Sequence, residues 1–598
     1  MSSTTTPDDI RWLASMAEPV AGKRCPVCGH ASGHTALLTV PAMTPDEVVL
    51  SLLRCANCES LFYDPPDITD FSDLGGNRDT FWRFYVEVGG GVWETIWPIL
   101  AATQRGSLLD VGCGFGFALD FWQRSGRGEA VGLELADYGR QGAAMLGVTI
   151  HSELLQDCEA LAGRRFDIVY ASEVIEHVPD PYAFAALLAR WVADDGVLIM
   201  TTPAASYVAP ANQSPTLLAA IAPGFHGFLL SADAFADAAR RAGFAHVETR
   251  TFQEREMVWA SRRPLQVTPQ GSGAHHAYLA YLEGRVDGPA DTASPVWQGL
   301  AYRYAKELVN AGRLAEARSI VVRLAQALGE GFGPEVVEPE TALGRLRGCT
   351  TLEDFGAAMP YFMPSLFFFM AVLALHLDRN TALALRYFGG AADCALESGR
   401  FGALFFLEAL SLLWPARTRQ AELLLGRGDV AAGVALLIRL AEEGAHCDTR
   451  NGYALASRDL LEATVPHWCE LLWSHGRRDL ARTLFQAHQR YLSDRYGSRI
   501  LDAPGVEITF GESGGELPLD PLFSPFFAAQ QALPAPEALA QLAHVCRIGE
   551  SHAGHASLGH RLRDVAQRAR QLMAAATSAT EPAAPIWSSS TRFRQPLR

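Results

Sequence analysis

Ser107-Leu-Leu-Asp-Val-Gly-Cys-Gly-Phe-Gly-Phe117 is the stretch that decides how this chain folds. An apolar strand runs into a turn with glycine at 112, 114 and 116, and helical spacing follows in FALDFWQR. Outward from there the pattern alternates. AVGLEL (130–135), VTIHS (148–152), FDIVYAS (166–172) and GVLIMTTP (196–203) read as strands. DYGRQGAAMLG (137–147) and PYAFAALLARWV (181–192) read as helices between them. Strands alternating with helices at this spacing predict an α/β domain with a mostly parallel sheet covered on both faces. SADAFADAARRAGF (231–244) adds a helix, and HVETRTF with MVWASR (257–262) predicts a closing hairpin.

Glycines in such a turn let the backbone approach a ligand and take conformations that a Cβ forbids. Ligands of open α/β sheets sit outside the carboxyl ends of the strands, where this turn lies. Glu134 ends the second strand, and a carboxylate there can accept both hydroxyls of a ribose. A dinucleotide fingerprint, G-x-G-x-x-G, needs glycine at 117, which is Phe117. The turn is instead G-x-G-x-G with Asp110 two residues ahead, and it resembles the first motif of class I S-adenosylmethionine (SAM) dependent methyltransferases. FDIVYASEVIEHVPDP (166–181) and GFHGFLLSADAFADAARRAGF (224–244) extend that resemblance over about Leu108 to Arg262. It implies a Rossmann-like core with a mostly parallel seven-stranded sheet at 106–265, and SAM as cofactor. Asp110, Gly112, Cys113, Gly114 and Gly116 would surround the methionine portion, Glu134 and Leu135 the ribose, Asp157 (beside Gln156) the adenine, and Ser172 the pocket wall.

Methyl transfer needs an aligned acceptor and, for a hydroxyl, removal of a proton. The groups placed for this follow the fourth strand: Glu173, Glu176 and His177, with His177 as candidate base because imidazole titrates near neutrality. With His226 they resemble the metal site of some O-methyltransferases, which implies a divalent cation at Glu173, Glu176, His177 and His226. The alternative is that the EVIEHV segment is structural, its glutamates pairing locally and its histidine filling a wall.

Cys25-Pro-Val-Cys28 and Cys55-Ala-Asn-Cys58 form two CxxC knuckles around two strand-like stretches, TALLTV and EVVLSLLRC. Four thiolates in such pairs close a tetrahedral Zn²⁺ site, so residues 21–66 read as a small structural zinc ribbon. No position would stay open for substrate. His30 and His34 are expected at the surface, LFYDPPDITDFSD (61–73) as linker, and the aromatic stretch from Phe81 to Leu100 as covering helices within 67–105. A ribbon on this core also resembles a bacterial methyltransferase group associated with sugar and surface-glycan modification. That resemblance implies a small-molecule or glycan hydroxyl as acceptor.

Residues 294–575 read as an all-α region, after a linker at 266–293. Three stretches (305–328, 421–443 and 468–492) each carry a Gly turn between helices, at Gly312, Gly428 and Gly476, and resemble degenerate tetratricopeptide-type hairpins. Such arrays bind partners or self-associate, or this one caps the active site. Residues 502–535 read as a long loop, and 1–20 and 576–598 as tails. The apolar run Ala357–Leu377 is broken by Pro360 and Pro364, too short for the roughly 20 residues of a bilayer span, so it predicts a buried helix. The chain has 598 residues and a formal net charge of −16, which disfavours nucleic acid. Scattered cysteines and an N-terminus without a signal-peptide pattern predict a soluble, cytoplasmic protein. The competing function class is a non-catalytic scaffold whose SAM domain is vestigial, and protein or RNA remain alternative acceptors.

Overall fold

The computed structural model describes residues 9–436 except 14–19, 21, 45–47, 67–80, 89–91, 103–104, 213–214, 253, 269–271, 289–290, 403–405 and 430, together with 472, 480 and 570. One compact unit takes in the described residues up to Leu410, and a second begins at Ser411.

The front of the chain forms an antiparallel sheet from β1 (Arg11–Trp12), β2 (Thr35–Pro41), β3 (Val49–Arg54) and β4 (Leu61–Asp64). β4 corrects the reading of that stretch as linker. Leu61, Phe62 and Tyr63 are buried, and three adjacent large apolar side chains favour a strand over solvated coil. His34 is likewise buried, edge-on to the Phe62 ring, with Nε2 donating to Lys23 O at 2.9 Å. It braces the ribbon.

A helical turn, α1 (Phe81–Arg83), widens into a π-helical turn over Phe84–Val88, and α2 (Val92–Ala101) follows. Then comes the expected alternation: β5 (Leu108–Val111), α3 (Phe117–Arg124), β6 (Ala130–Leu133), α4 (Asp137–Leu146), β7 (Thr149–His151), β8 (Phe166–Ser172), α5 (Pro181–Ala189) and β9 (Val192–Pro203). β9 starts earlier than expected because Val192 pairs with Phe166 ahead of a register shift. After α6 (Pro215–Ile221), β10 (Phe228–Leu229) and α7 (Ala232–Arg241), the hairpin β11 (His246–Phe252) and β12 (Arg255–Ser261) closes the core. The seven-stranded order is β11-β12-β9-β8-β5-β6-β7, parallel from β5 to β9. β12 runs antiparallel to β9, and β11 antiparallel to β12. Strand order reverses between β5 and β8, and the open crevice of such a sheet lies at that switch point.

β10 belongs to the other sheet. Phe228 pairs with Phe62 and Leu229 with Leu61, so the ribbon sheet ends on a strand supplied by the α/β core. Packing continues the joint. Cys25, Val27, Cys55 and Phe62 share one apolar core with α5, α7 and one face of the seven-stranded sheet. The ribbon's other face, with Leu38, Val40, Leu50 and Tyr63, buries Leu217, Leu218 and Ile221 of α6.

After the core in sequence the structure is helical: α8 (Ser272–Asp287), α9 (Pro295–Asn310), α10 (Leu314–Phe332), α11 (Pro339–Gly348), α12 (Leu352–Ala358), α13 (Met363–His376), α14 (Thr381–Ser398) and α15 (Leu407–Gly426). α8 occupies the segment read as linker. Its Tyr281 donates to Asp120 of α3 at 2.6 Å, an anchor that composition does not reveal. α9 and α10 form the first expected hairpin, turning at Gly312 with φ +75°. The lengths from α9 to α14 vary between 7 and 19 residues, without a fixed repeat. Met363 to Phe369 of α13 are all buried. Among the described residues no single helix is long and apolar enough to cross a membrane, and the bent pair α12–α13, at 42°, reaches the length only jointly. The second expected hairpin is described as far as residue 436. The third, the 502–535 loop and the C-terminal tail lie outside the described residues.

Candidate active site

The glycine turn hangs from its neighbour strand, because the amides of Gly112 and Cys113 both donate to Leu133 O, at 2.8 and 3.0 Å. Gly112 has φ +74°, and a Cβ there would lie 2.5 Å from Val174 Cγ2. The turn and the loop after β8 are therefore in direct contact at the switch point, and only glycine fits. Gly114 and Gly116 also have positive φ, and Gly116 opens α3.

Glu134 closes the turn from the β6 side. Its Oε2 accepts from Gly114 N at 3.0 Å and its Oε1 from Ala136 N at 2.9 Å. Burial pushes its carboxyl up, partly offset by these amides. Asp110 is 3% exposed, within the β5 ladder. Burial, then the Glu134 charge, pushes it up to about 8. A buried acid beside left-handed glycines fits a cationic ligand, whose charge would restore the carboxylate. Cys113 is tucked beside Gly132, its thiol pushed far up by burial, then by Asp110 and Glu134. Leu135 is 39% exposed at the rim, a large apolar surface where a flat ring could rest. Asp157 is exposed, its amide donating to Leu154 O at 2.9 Å.

Beyond β8 the four residues named from the sequence separate. Glu176, His177 and His226 converge, with candidate ligand atoms within 4.8 Å of one another. Each imidazole donates Nδ1–H to a backbone carbonyl, His177 to Phe225 O and His226 to Ala220 O, both at 2.9 Å. A carbonyl only accepts, so Nε2 is the acceptor nitrogen of each ring. Glu176 is fully buried; its Oε2 accepts from Thr202 Oγ1 at 3.0 Å, and its Oε1 has no partner among the described residues. Burial, then Glu173, pushes the Glu176 carboxyl well up. Burial lowers His177, and burial with the His177 ring lowers His226 much further.

Glu173 is turned elsewhere. With φ +56°, its Oε1 accepts from Thr201 Oγ1 at 2.8 Å and pairs with Arg255 Nε at 3.2 Å. Ser172 joins the chain by donating to Thr201 Oγ1 at 2.8 Å. Burial opposes the Arg255 charge, yet Glu173 and Glu94 hold its pKa up. Arg255, Thr201 and Thr202 escaped the sequence reading. Only the β9–β12 register, which pairs Arg255 with Pro203, brings that arginine to the site.

The loop bearing His226 is framed by the ribbon. Tyr63 Oη donates to Ile221 O at 2.8 Å, Met43 N to Pro223 O at 2.8 Å, and Gly227 N to Glu176 O at 2.9 Å. In the ribbon itself, Cys25 Sγ lies 3.8 Å from Cys58 Sγ and Cys28 Sγ 3.5 Å from Cys55 Sγ, with all four within 4.8 Å. A tetrahedron with Zn–S bonds of about 2.3 Å has sulfurs about 3.8 Å apart, so the four cysteines are compatible with zinc. The spacing is far too long for a disulfide.

Residues 94–249 match a family model described as "Methyltransferase domain". This chain carries a methyltransferase domain. Over 100 residues it is 34% identical to a ubiquinone biosynthesis O-methyltransferase of Cereibacter sphaeroides, covering 16% of this chain and 40% of that protein. A second protein of the same description, from Neisseria meningitidis, is 33% identical over 102 residues, covering 16% and 43%. The chain thus spans less than half the length of these relatives. Among solved structures, an O-methyltransferase family protein from Burkholderia thailandensis is 18% identical with a TM-score of 0.27, covering 32% of this chain and 60% of that one.

Proposed function

We propose that the chain is a SAM-dependent O-methyltransferase acting on a hydroxyl of a sugar, glycan or related small metabolite. The observation that carries this reading is the convergence of Glu176, His177 and His226 beside the turn that Gly112 and Val174 lock together. SAM, when bound, supplies an electrophilic methyl group. The glycine turn and Asp110 would hold its cationic methionine end, and Glu134 with Leu135 its adenosine. His177, neutral and presenting Nε2, is placed to take the hydroxyl proton. Glu173 and Arg255 wall the crevice with polar groups suited to a hydroxyl-rich acceptor.

As an alternative to His177 acting as base, the unpartnered Glu176 oxygen and the two Nε2 atoms form a mixed oxygen and nitrogen donor set that fits a divalent cation, with His177 then a ligand. A cation there would lower the pKa of the acceptor hydroxyl. Zn²⁺ at Cys25, Cys28, Cys55 and Cys58 would be structural.

Two measurements test the reading. Labelled SAM with a panel of nucleotide sugars, glycans and vicinal diols should yield base-stable methyl ethers, and His177→Ala should cut the rate by about 100-fold or more. Labelling of nitrogen or carbon instead contradicts O-methylation. Metal analysis of wild type and His226→Ala should show one cation lost while the ribbon zinc stays, and unchanged content removes the cation from the account.

A further inference from the structure

The turn Phe81–Val88 has two faces, and they meet different parts of the protein. On one face the Trp82 ring stacks on Phe115 of the glycine turn at 6.3 Å and 17°. The Tyr85 ring lies 5.0 Å from Tyr138, and its Cε1 is 3.9 Å from where Gly114 would carry a Cβ. On the other face the turn is bolted to the helical region. The Val86 carbonyl sits so close to α9 that a Cβ on Gly299 would meet its oxygen at 2.1 Å. Arg303 of α9 donates to Tyr85 O at 3.1 Å. Glu87, 1% exposed, accepts from the Tyr361 amide at 2.7 Å and from Arg83 Nε at 2.7 Å. Arg83 in turn donates to Gly356 O and lies over the Tyr361 ring.

Two buried charges, Glu87 and Arg303, at one seam are a costly way to join helices, since an apolar seam of equal size is often as stable or more so. What directed bonds add is register: they set where the backbone of Tyr85 and Val86 lies, and hence where Tyr85 and Trp82 stand over the glycine turn. π-Helical turns of this kind are frequent at functional sites. We infer that the helical region is a working part of the cofactor site, its α9 and the α12–α13 corner clamping Phe81–Val88 over the glycine turn so that SAM is held between them. The clamp rests on the SAM reading above. Gly299, Arg303, Glu87 and Tyr361 are positioning residues, acting through Tyr85 and Trp82.

The test is isothermal titration of the full chain with SAM, for wild type, Gly299→Val, Glu87→Gln and the exposed control Val322→Ser. Amide exchange over 81–88 and 108–172 is measured on the same ligand-free proteins. Gly299→Val should raise the SAM Kd at least tenfold, Glu87→Gln several-fold, and Val322→Ser not at all. Exchange should quicken over 81–88 and stay unchanged over 108–172. Should Gly299→Val fail to fold, the near-isosteric Glu87→Gln decides alone. Wild type and both seam variants binding alike overturns the clamp and leaves the SAM reading standing. A wild type that does not bind SAM overturns both.

Discussion

Ser231 Oγ donates to Cys58 O at 2.7 Å while accepting the Ala234 amide at 3.2 Å, so one hydroxyl joins the last cysteine knuckle to the first turn of α7. The ribbon is thereby wired to the helix that follows the His226 loop. Replacing an N-cap serine by alanine costs about 1 kcal/mol. Ser231→Ala should lower the melting temperature by a few degrees and leave the cysteine cluster intact. Removing the zinc proposed at the four cysteines with a chelator should do more, freeing the frame around Ile221 to Ser231. Amide exchange over 221–231 reads this directly, and an unchanged rate after stripping contradicts the coupling.

Asp110 makes a signed prediction about pH. Its folded value of about 8 lies above the ordinary 3.8, so the ligand-free fold favours the neutral acid. The stability tied to this group is complete below about pH 4 and is lost as pH rises through about 8. Asp110→Asn should therefore melt higher than wild type at pH 9 without ligand, yet bind SAM at least tenfold more weakly. Wild-type affinity should rise from pH 6 to 8, and that rise should vanish in the variant. Scanning calorimetry with titration at three pH values checks both.

Gly112→Ala meets two penalties that can be separated. A residue with a Cβ at φ +74° is strained by about 1–2 kcal/mol, and its methyl collides with Val174. Adding Val174→Ala should recover the collision and leave the strain. The double variant is expected to melt between Gly112→Ala and Val174→Ala, and a double variant no better than Gly112→Ala denies the contact.

The histidines respond to acid in the opposite sense from Asp110. Both have folded values below the ordinary 6.5, so the stability they contribute is present above pH 6.5 and is lost as pH falls. Melting temperature should drop between pH 6.5 and 5, and His226→Leu should flatten that drop. Equal slopes for the two proteins would remove His226 from the acid response.

The α/β core was legible because its signals are local. Gly112, Gly114 and Gly116, the unbroken apolar runs of β5 and β8, and the 231–244 helix each declare themselves within a dozen residues. What stayed hidden depends on distant pairing. Leu61–Asp64 reads as the start of a linker because its partner, Phe228–Leu229, lies more than 160 residues on. Spacing groups Glu173 with His177, and only the Arg255 strand register draws it away. Nothing near Phe81–Val88 announces that Gly299 and Tyr361 will hold it. The four cysteines were readable in pairs, but their support of the His226 loop was not.

Titration of the full, metal-loaded chain with SAM by calorimetry at pH 8 tests the central claim most directly. The account predicts one site per chain, abolished by Gly112→Ala and weakened by Asp110→Asn. No binding heat at any temperature, with Asp110, Gly112 and Glu134 intact, contradicts it.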